Sequence, residues 1–95
     1  MSKIGNLIAK YHTFMVTKKV CPFCVEAKRI FKEHGVEPHI IEYESTKSSE
    51  MEQIMSELSK DYNHSSFPAI FYEDKFIGGC DKLKDFYANK ENRAL

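Results

Sequence analysis

An α/β fold, with a mixed sheet covered by helices on both faces, is what this chain of 95 residues predicts. Three observations predict it. Two strand-like runs flank one amphipathic helical segment, and such a β-α-β unit implies parallel strands joined by a right-handed crossover. A hairpin pattern follows a second helical segment, which extends the parallel pair with antiparallel strands. Further helical stripes open and close the chain, so helices are available for both faces of the sheet.

Each element has its own signal. Ile4, Leu7, Ile8 and Tyr11 fall at i, i+3, i+4 and i+7, a short amphipathic helix packed on the domain. Thr13-Phe14-Met15-Val16-Thr17 is apolar and β-branched and reads as a buried strand. Cys24, Ala27, Phe31 and His34, with Ile30 beside them, mark the stripe of the next helix, and Gly35 and Pro38 mark its end. His39-Ile40-Ile41-Glu42-Tyr43 is the second strand. Ser49 and Glu52 have capping-box spacing ahead of a helix whose stripe is Met51, Ile54, Met55, Leu58 and Tyr62, with Asn63 as a left-handed terminator. Ala69-Ile70-Phe71-Tyr72 and Lys75-Phe76-Ile77 make a hairpin around Glu73-Asp74, broken by Gly78-Gly79. A last helix begins near Asp81, turns Leu83, Phe86 and Tyr87 inward, and gives way to a polar, fraying tail after Asn89.

Composition sets the bounds. The length suits one domain, residues 1–95, with a core sufficient for independent folding. Fourteen basic and 14 acidic residues leave no net charge, which argues against a general nucleic-acid or membrane-surface binder. No apolar stretch is long enough to span a bilayer. Residues 1–11 lack the apolar core and cleavage site of a secretory signal, and they lack the arginines of a transit peptide. A reducing, cytoplasmic setting is the expectation, and a monomer the expected state.

Cys21-Pro22-Phe23-Cys24 carries the chemistry. The pair lies between a strand and a helix, so Cys21 falls in the helix cap, where unpaired N–H groups and the macrodipole favour negative charge. A thiol placed there gives up its proton more readily, and the thiolate is the nucleophile of disulfide exchange. Lys18 and Lys19 add positive charge, and Pro22 at an early helical position forfeits no hydrogen bond. Two bland readings compete. Structural zinc needs four ligands, but Cys80 is the only other cysteine, and His12, His34, His39 and His64 are scattered without ligand spacing. A structural disulfide belongs to exported proteins, and nothing here suggests export. A C-x-x-C beside a β-α-β unit reads as a redox motif, with no metal expected.

Three further features lie behind that motif. Pro68 precedes a strand, and the Phe67–Pro68 bond has two readings. A cis bond would turn the Phe67 backbone outward as an edge for a peptide; a trans proline would simply start an edge strand. Gly78-Gly79-Cys80-Asp81 opens a helix whose N-terminus suits a carboxylate, or else supplies a turn with Asp81 as N-cap. Cys80 is either an oxidisable thiol beside a site or a small apolar filler.

Taken together, Lys18-Lys19-Val20-Cys21-Pro22-Phe23-Cys24, Ser66-Phe67-Pro68 and Gly78-Gly79-Cys80-Asp81 resemble the dithiol glutaredoxins in both motif and spacing, over essentially the whole chain. The resemblance implies a thioredoxin-like fold with a four-stranded mixed sheet flanked by helices on both faces. It implies glutathione as reductant and co-substrate, and glutathionylated or disulfide-bonded proteins as partners. By it, Cys21 is the attacking thiol and Cys24 the resolving thiol. Lys18 would meet the glycine carboxylate of glutathione, with Phe23 in the motif beside it. Phe67, before a cis Pro68, would pair its backbone with the cysteinyl part, and Cys80 and Asp81 would hold the γ-glutamyl end. The chain departs from the family pattern at Ser66-Phe67-Pro68, where Thr-Val-Pro is common, at Phe23 in place of tyrosine, and at Ser65 in place of a basic residue.

Two rivals follow from the same motif. A thioredoxin proper, reduced by a flavoprotein, is opposed by the absence of tryptophan and by Pro-Phe where Gly-Pro would stand. A dimer holding an iron–sulfur cluster through Cys21 and glutathione is opposed by Pro22, since family members of that kind tend to lack it.

Overall fold

Phe14, Met15, Val16 and Thr17 are all buried, which puts the first strand in the interior with both of its faces covered. The computed structural model describes residues 2–44 and 49–93. Along the chain come α1 (Lys3–Tyr11), β1 (Phe14–Lys18), α2 (Pro22–Glu33), β2 (His39–Tyr43), α3 (Ser49–Tyr62), β3 (Ala69–Tyr72), β4 (Lys75–Gly78) and α4 (Cys80–Arg93). The strands form one sheet in the order β2-β1-β3-β4. β1 runs parallel to β2 and antiparallel to β3, and β3 runs antiparallel to β4. The mixed sheet predicted from the β-α-β unit and hairpin is the one observed.

The core divides by strand alternation. Met15 and Ile70 point to one face, where α2 and α4 supply Ala27, Ile30, Phe31, Leu83 and Tyr87. Phe14, Val16, Ala69 and Phe71 point to the other, against Ile4 of α1 and Ile54 and Leu58 of α3. Side chains of successive strand residues face opposite sides, so one apolar run serves both layers. Register follows: Phe14 pairs with Phe71, and their rings stack with centroids 4.7 Å apart. The hairpin turns at Glu73 and Asp74, both at positive φ (47° and 72°), as a tight two-residue connection requires.

Helix ends behave largely as their residues suggest. Gly35 ends α2 at φ 72°, and Asn63 follows α3 at φ 52°. The Ser2 hydroxyl caps α1 by accepting the Gly5 N–H, and a Cβ on Gly5 would stand 2.7 Å from that oxygen. Five details differ from the sequence reading. β1 starts and ends one residue later, because its pairing with β2 runs from Phe14 to Lys18. Ser49 is already helical, so the expected capping box on Ser49 and Glu52 is not formed as read. Asp81 lies in the first turn of α4, after Cys80, and is not its N-cap. α4 continues to Arg93, past the point where fraying was expected. His34 lies at the C-cap of α2, exposed, with its ring stacked on Tyr87 at 3.7 Å.

Candidate functional site

The C-terminal end of β1 delivers the chain to the site. The Lys19 N–H donates to the Tyr43 carbonyl (2.9 Å), which ties the end of β1 to the end of β2. Val20 turns at φ 57°, and Cys21 then stands as the N-cap of α2, with Pro22 in the first turn. The Cys21 carbonyl accepts from the N–H groups of Cys24 (3.1 Å) and Val25 (3.2 Å), and its sulfur also accepts from Cys24 N–H, at 3.3 Å. The Cys24 N–H at the start of α2 thus points at the Cys21 sulfur.

Cys24 sits one turn deeper and is 2% exposed. Burial first, and then its contact with the Cys21 sulfur, push its thiol up to about 12. It is a protonated, protected thiol at neutral pH, held beside an N-capping one. All three cysteines are free.

A groove of about 430 Å³ opens over Cys21, lined by Lys18, Val20, Pro22, Phe23, Ser65, Ser66 and Phe67. Four of the predicted site residues, Lys18, Cys21, Phe23 and Phe67, thus meet in one place although they come from two segments of chain, 18–23 and 65–67. The Lys18 ammonium lies 5.5 Å from the centre of the Phe67 ring, within reach of a cation–π contact. Lys19 faces away to an ion pair with Glu44, at 2.8 Å. The Phe67–Pro68 bond is cis, and Pro68, just before β3, is buried.

Asp81 lies in a neighbouring depression of about 410 Å³, with Tyr62, Asn63, His64, Gly78, Gly79 and Lys82. The segment 62–68 separates the two hollows and contributes to both. Gly78, at φ 124°, lets the chain turn into α4, where a Cβ would meet the Lys82 side chain at 2.8 Å. Cys80 is buried in the apolar cluster with Met15, Ala27, Ile30 and Leu83, and burial pushes its thiol pKa up. That surrounding fits the filler reading of Cys80.

Two residues escaped the sequence reading. His64 Nε2 donates to the Pro68 carbonyl (3.2 Å), which places the proton on Nε2 and braces the turn between the hollows. Nothing in its spacing signalled this. Val20 was quoted only as part of a motif, yet it is 90% exposed at the groove edge. A further depression of about 570 Å³, between the end of α2 and β2, is lined by Lys28, Lys32, Gly35, Val36, Glu37, Pro38 and Ile40 and holds no thiol. Among the described residues, no three His, Cys, Asp or Glu side chains are grouped to hold a metal ion.

The chain is similar to known proteins over most of its length. The glutaredoxin family model matches residues 13–77. Glutaredoxin-1 of Rhizophagus irregularis is 34% identical over 93 residues, covering 98% of this chain and 87% of that protein. Glutaredoxin 1 of Rickettsia conorii is 34% identical over 83 residues, covering 86% of this chain and 76% of that protein. Among solved structures, the dithiolic glutaredoxin of Trypanosoma brucei brucei is 29% identical, with a TM-score of 0.77 over 100% of this chain and 96% of that one.

Proposed function

This chain belongs to the glutaredoxin family of glutathione-related thiol oxidoreductases, and from that premise we propose that it reduces protein–glutathione mixed disulfides and protein disulfides with glutathione as reductant. The observation that carries the reading is the pairing of the two thiols. Cys21 caps a helix at the floor of an open groove, while Cys24 lies buried behind it as a thiol.

In the first half-reaction, the Cys21 thiolate attacks the glutathionyl sulfur of the substrate. The new S–S bond joins Cys21 to glutathione, and the electron pair of the old one leaves on the substrate sulfur, which takes up a proton. A glutathione thiolate then attacks the glutathionyl sulfur of the adduct, forming oxidised glutathione and returning the Cys21 thiolate. With a protein disulfide, Cys21 becomes joined to the substrate instead. Cys24 then attacks the Cys21 sulfur, loses its proton to the departing substrate thiolate, and leaves a Cys21–Cys24 disulfide for two glutathiones to reduce. A high Cys24 pKa suits that order, because Cys24 stays inert until a leaving thiolate can take its proton.

Glutathione has two carboxylates and one ammonium. Lys18 is the partner for the glycine carboxylate, the Phe67 backbone for the cysteinyl amide groups and Phe23 for a wall, while Pro68 is buried behind Phe67 as its support. Across the 62–67 segment, the Cys80 N–H at the start of α4 takes the γ-glutamyl carboxylate, and Asp81, which lines the neighbouring hollow, its ammonium. Charge-assisted contacts of this kind contribute roughly 1–3 kcal/mol each when partly desolvated. The reaction needs a glutathione pool, and we place it in the cytoplasm, with the protein acting as a monomer.

The test is NADPH-coupled reduction of a glutathionylated peptide, with glutathione and glutathione reductase supplying electrons in one run and thioredoxin reductase in another. Turnover is expected only with glutathione. Cys21→Ser should abolish it, while Cys24→Ser should keep deglutathionylation and lose reduction of protein disulfides. Retained turnover in Cys21→Ser, or turnover only with thioredoxin reductase, would sink the reading.

A further inference from the structure

Val20 is out of place by ordinary folding criteria. Its φ of 57° lies in the left-handed region, where a β-branched side chain is a steric outlier. Its side chain is 90% exposed, so no packing offsets the strain. The neighbours dictate the turn: Lys19 is fastened to Tyr43 on one side, and Cys21 is committed to capping α2 on the other. Glycine or asparagine would make that turn with less strain. An unrelieved backbone outlier directly beside a nucleophile points to use of the side chain.

A second observation says for what. Among the described residues, the exposed large apolar side chains are Val20, Phe23 (62%) and Val25 (65%), all within one six-residue stretch around Cys21. Val20 and Phe23 line the same groove as the Cys21 sulfur. Scattered exposed apolar residues are ordinary, but a cluster confined to the reactive thiol is not. Glutathione, with its two carboxylates and ammonium, has few apolar atoms to cover such a cluster. The protein half of a mixed disulfide does.

We propose that Val20, with Phe23, receives a large apolar side chain flanking the target cysteine, so that the preferred substrates are cysteines next to Leu, Ile, Val or Phe. The proposal rests on the thiol–disulfide reading above and specifies its substrate class.

Two glutathionylated peptides of equal charge, with Leu or with Ser on either side of the cysteine, provide the test, alongside the mixed disulfide of free cysteine and glutathione. The wild-type protein should favour the Leu peptide in kcat/KM by about tenfold, the effect of burying part of one apolar side chain. Val20→Ser and Val20→Gly should bring the ratio close to one, and Val20→Ile should preserve it. Val20→Gly should also raise the midpoint of thermal unfolding, since glycine accepts the φ that valine resists. Equal rates on the two peptides by the wild type, or a ratio that survives in Val20→Ser, overturns the proposal while leaving the function intact. No turnover of any of the three substrates overturns the function on which it rests.

Discussion

Cys24 shows how far burial and one neighbouring sulfur can change a residue's chemistry. It differs from Cys21 by one helical turn, yet burial and the Cys21 contact hold it as a thiol, pushed up to about 12. Cys80 is likewise buried and pushed up. Reactivity toward an alkylating agent follows the thiolate and its access. Brief treatment of the reduced protein with iodoacetamide at pH 7.5 should therefore modify Cys21 first and leave Cys24 and Cys80 free, as read by peptide mass spectrometry. Labelling of Cys24 as fast as Cys21 would contradict the assignment of roles. Phe67 works at the same scale. Its ring seats the Lys18 ammonium beside the groove, 5.5 Å from the ring centre.

At the level of elements, α1 owes its position to α3. The Glu57 carboxylate accepts the N–H groups of Lys3 and Ile4, both at 3.0 Å, and Lys3 pairs with Glu50 at 2.6 Å. Two of the donors left unpaired at the start of a helix are thereby satisfied from another helix. Burial acts to raise the Glu57 pKa, but the hydrogen bonds from Ile4 and Lys3 outweigh it and hold the carboxyl below its ordinary value. A carboxyl with a depressed folded-state pKa stabilises the fold above its unfolded pKa, and that stabilisation is lost as pH falls through the folded one. Glu57→Ala should thus cost about 1–2 kcal/mol at pH 7, the range for loss of a helix cap or of charged hydrogen bonds. The difference from wild type, measured by urea unfolding, should shrink as pH is lowered below about 4, in the lower carboxylate range. A constant difference across that range would mean that packing of α1, and not the carboxylate, carries the effect.

Over the whole molecule, the buried acids share one direction. Cys24, Cys80, Tyr43 and Tyr87 all have pKa values raised by burial. Between about 9 and about 12 the folded protein holds Cys24's proton more tightly than the unfolded chain does, so stability falls as pH rises through that window. The reduced protein should lose stability steadily from pH 9 to pH 11, by urea midpoint. Cys24→Ala should lose less over the same interval, and an identical slope in the two proteins would remove Cys24 from the account. The same burial that keeps the Cys24 thiol protonated at neutral pH makes the reduced fold sensitive to alkali.

Features with short-range causes were legible in the residues alone. The β-α-β order, β2, the hairpin turn at Glu73-Asp74, the Asn63 terminator and the Cys21 cap each depend on neighbours a few positions away. The position of the C-x-x-C at a strand–helix junction was legible for the same reason. The one-residue shift of β1 and the helical Ser49 are boundary effects, decided by register with β2 and by the helix that Ser49 joins. Other features had no local signal. Lys18 meets Phe67 because β1 and β3 lie side by side in the sheet, and Glu57 caps a helix 53 residues away because α1 and α3 cover the same face. The His64 contact with Pro68 and the isomer of the Phe67–Pro68 bond were likewise open until the chain was packed. Val20 is the sharpest case, since its strain comes from two anchors on either side, one of which, at Tyr43, is supplied by another strand. Local propensity chose the elements and set Cys21 at the cap of α2; the stacking of the layers decided which distant side chains surround it and how deeply Cys24 is buried.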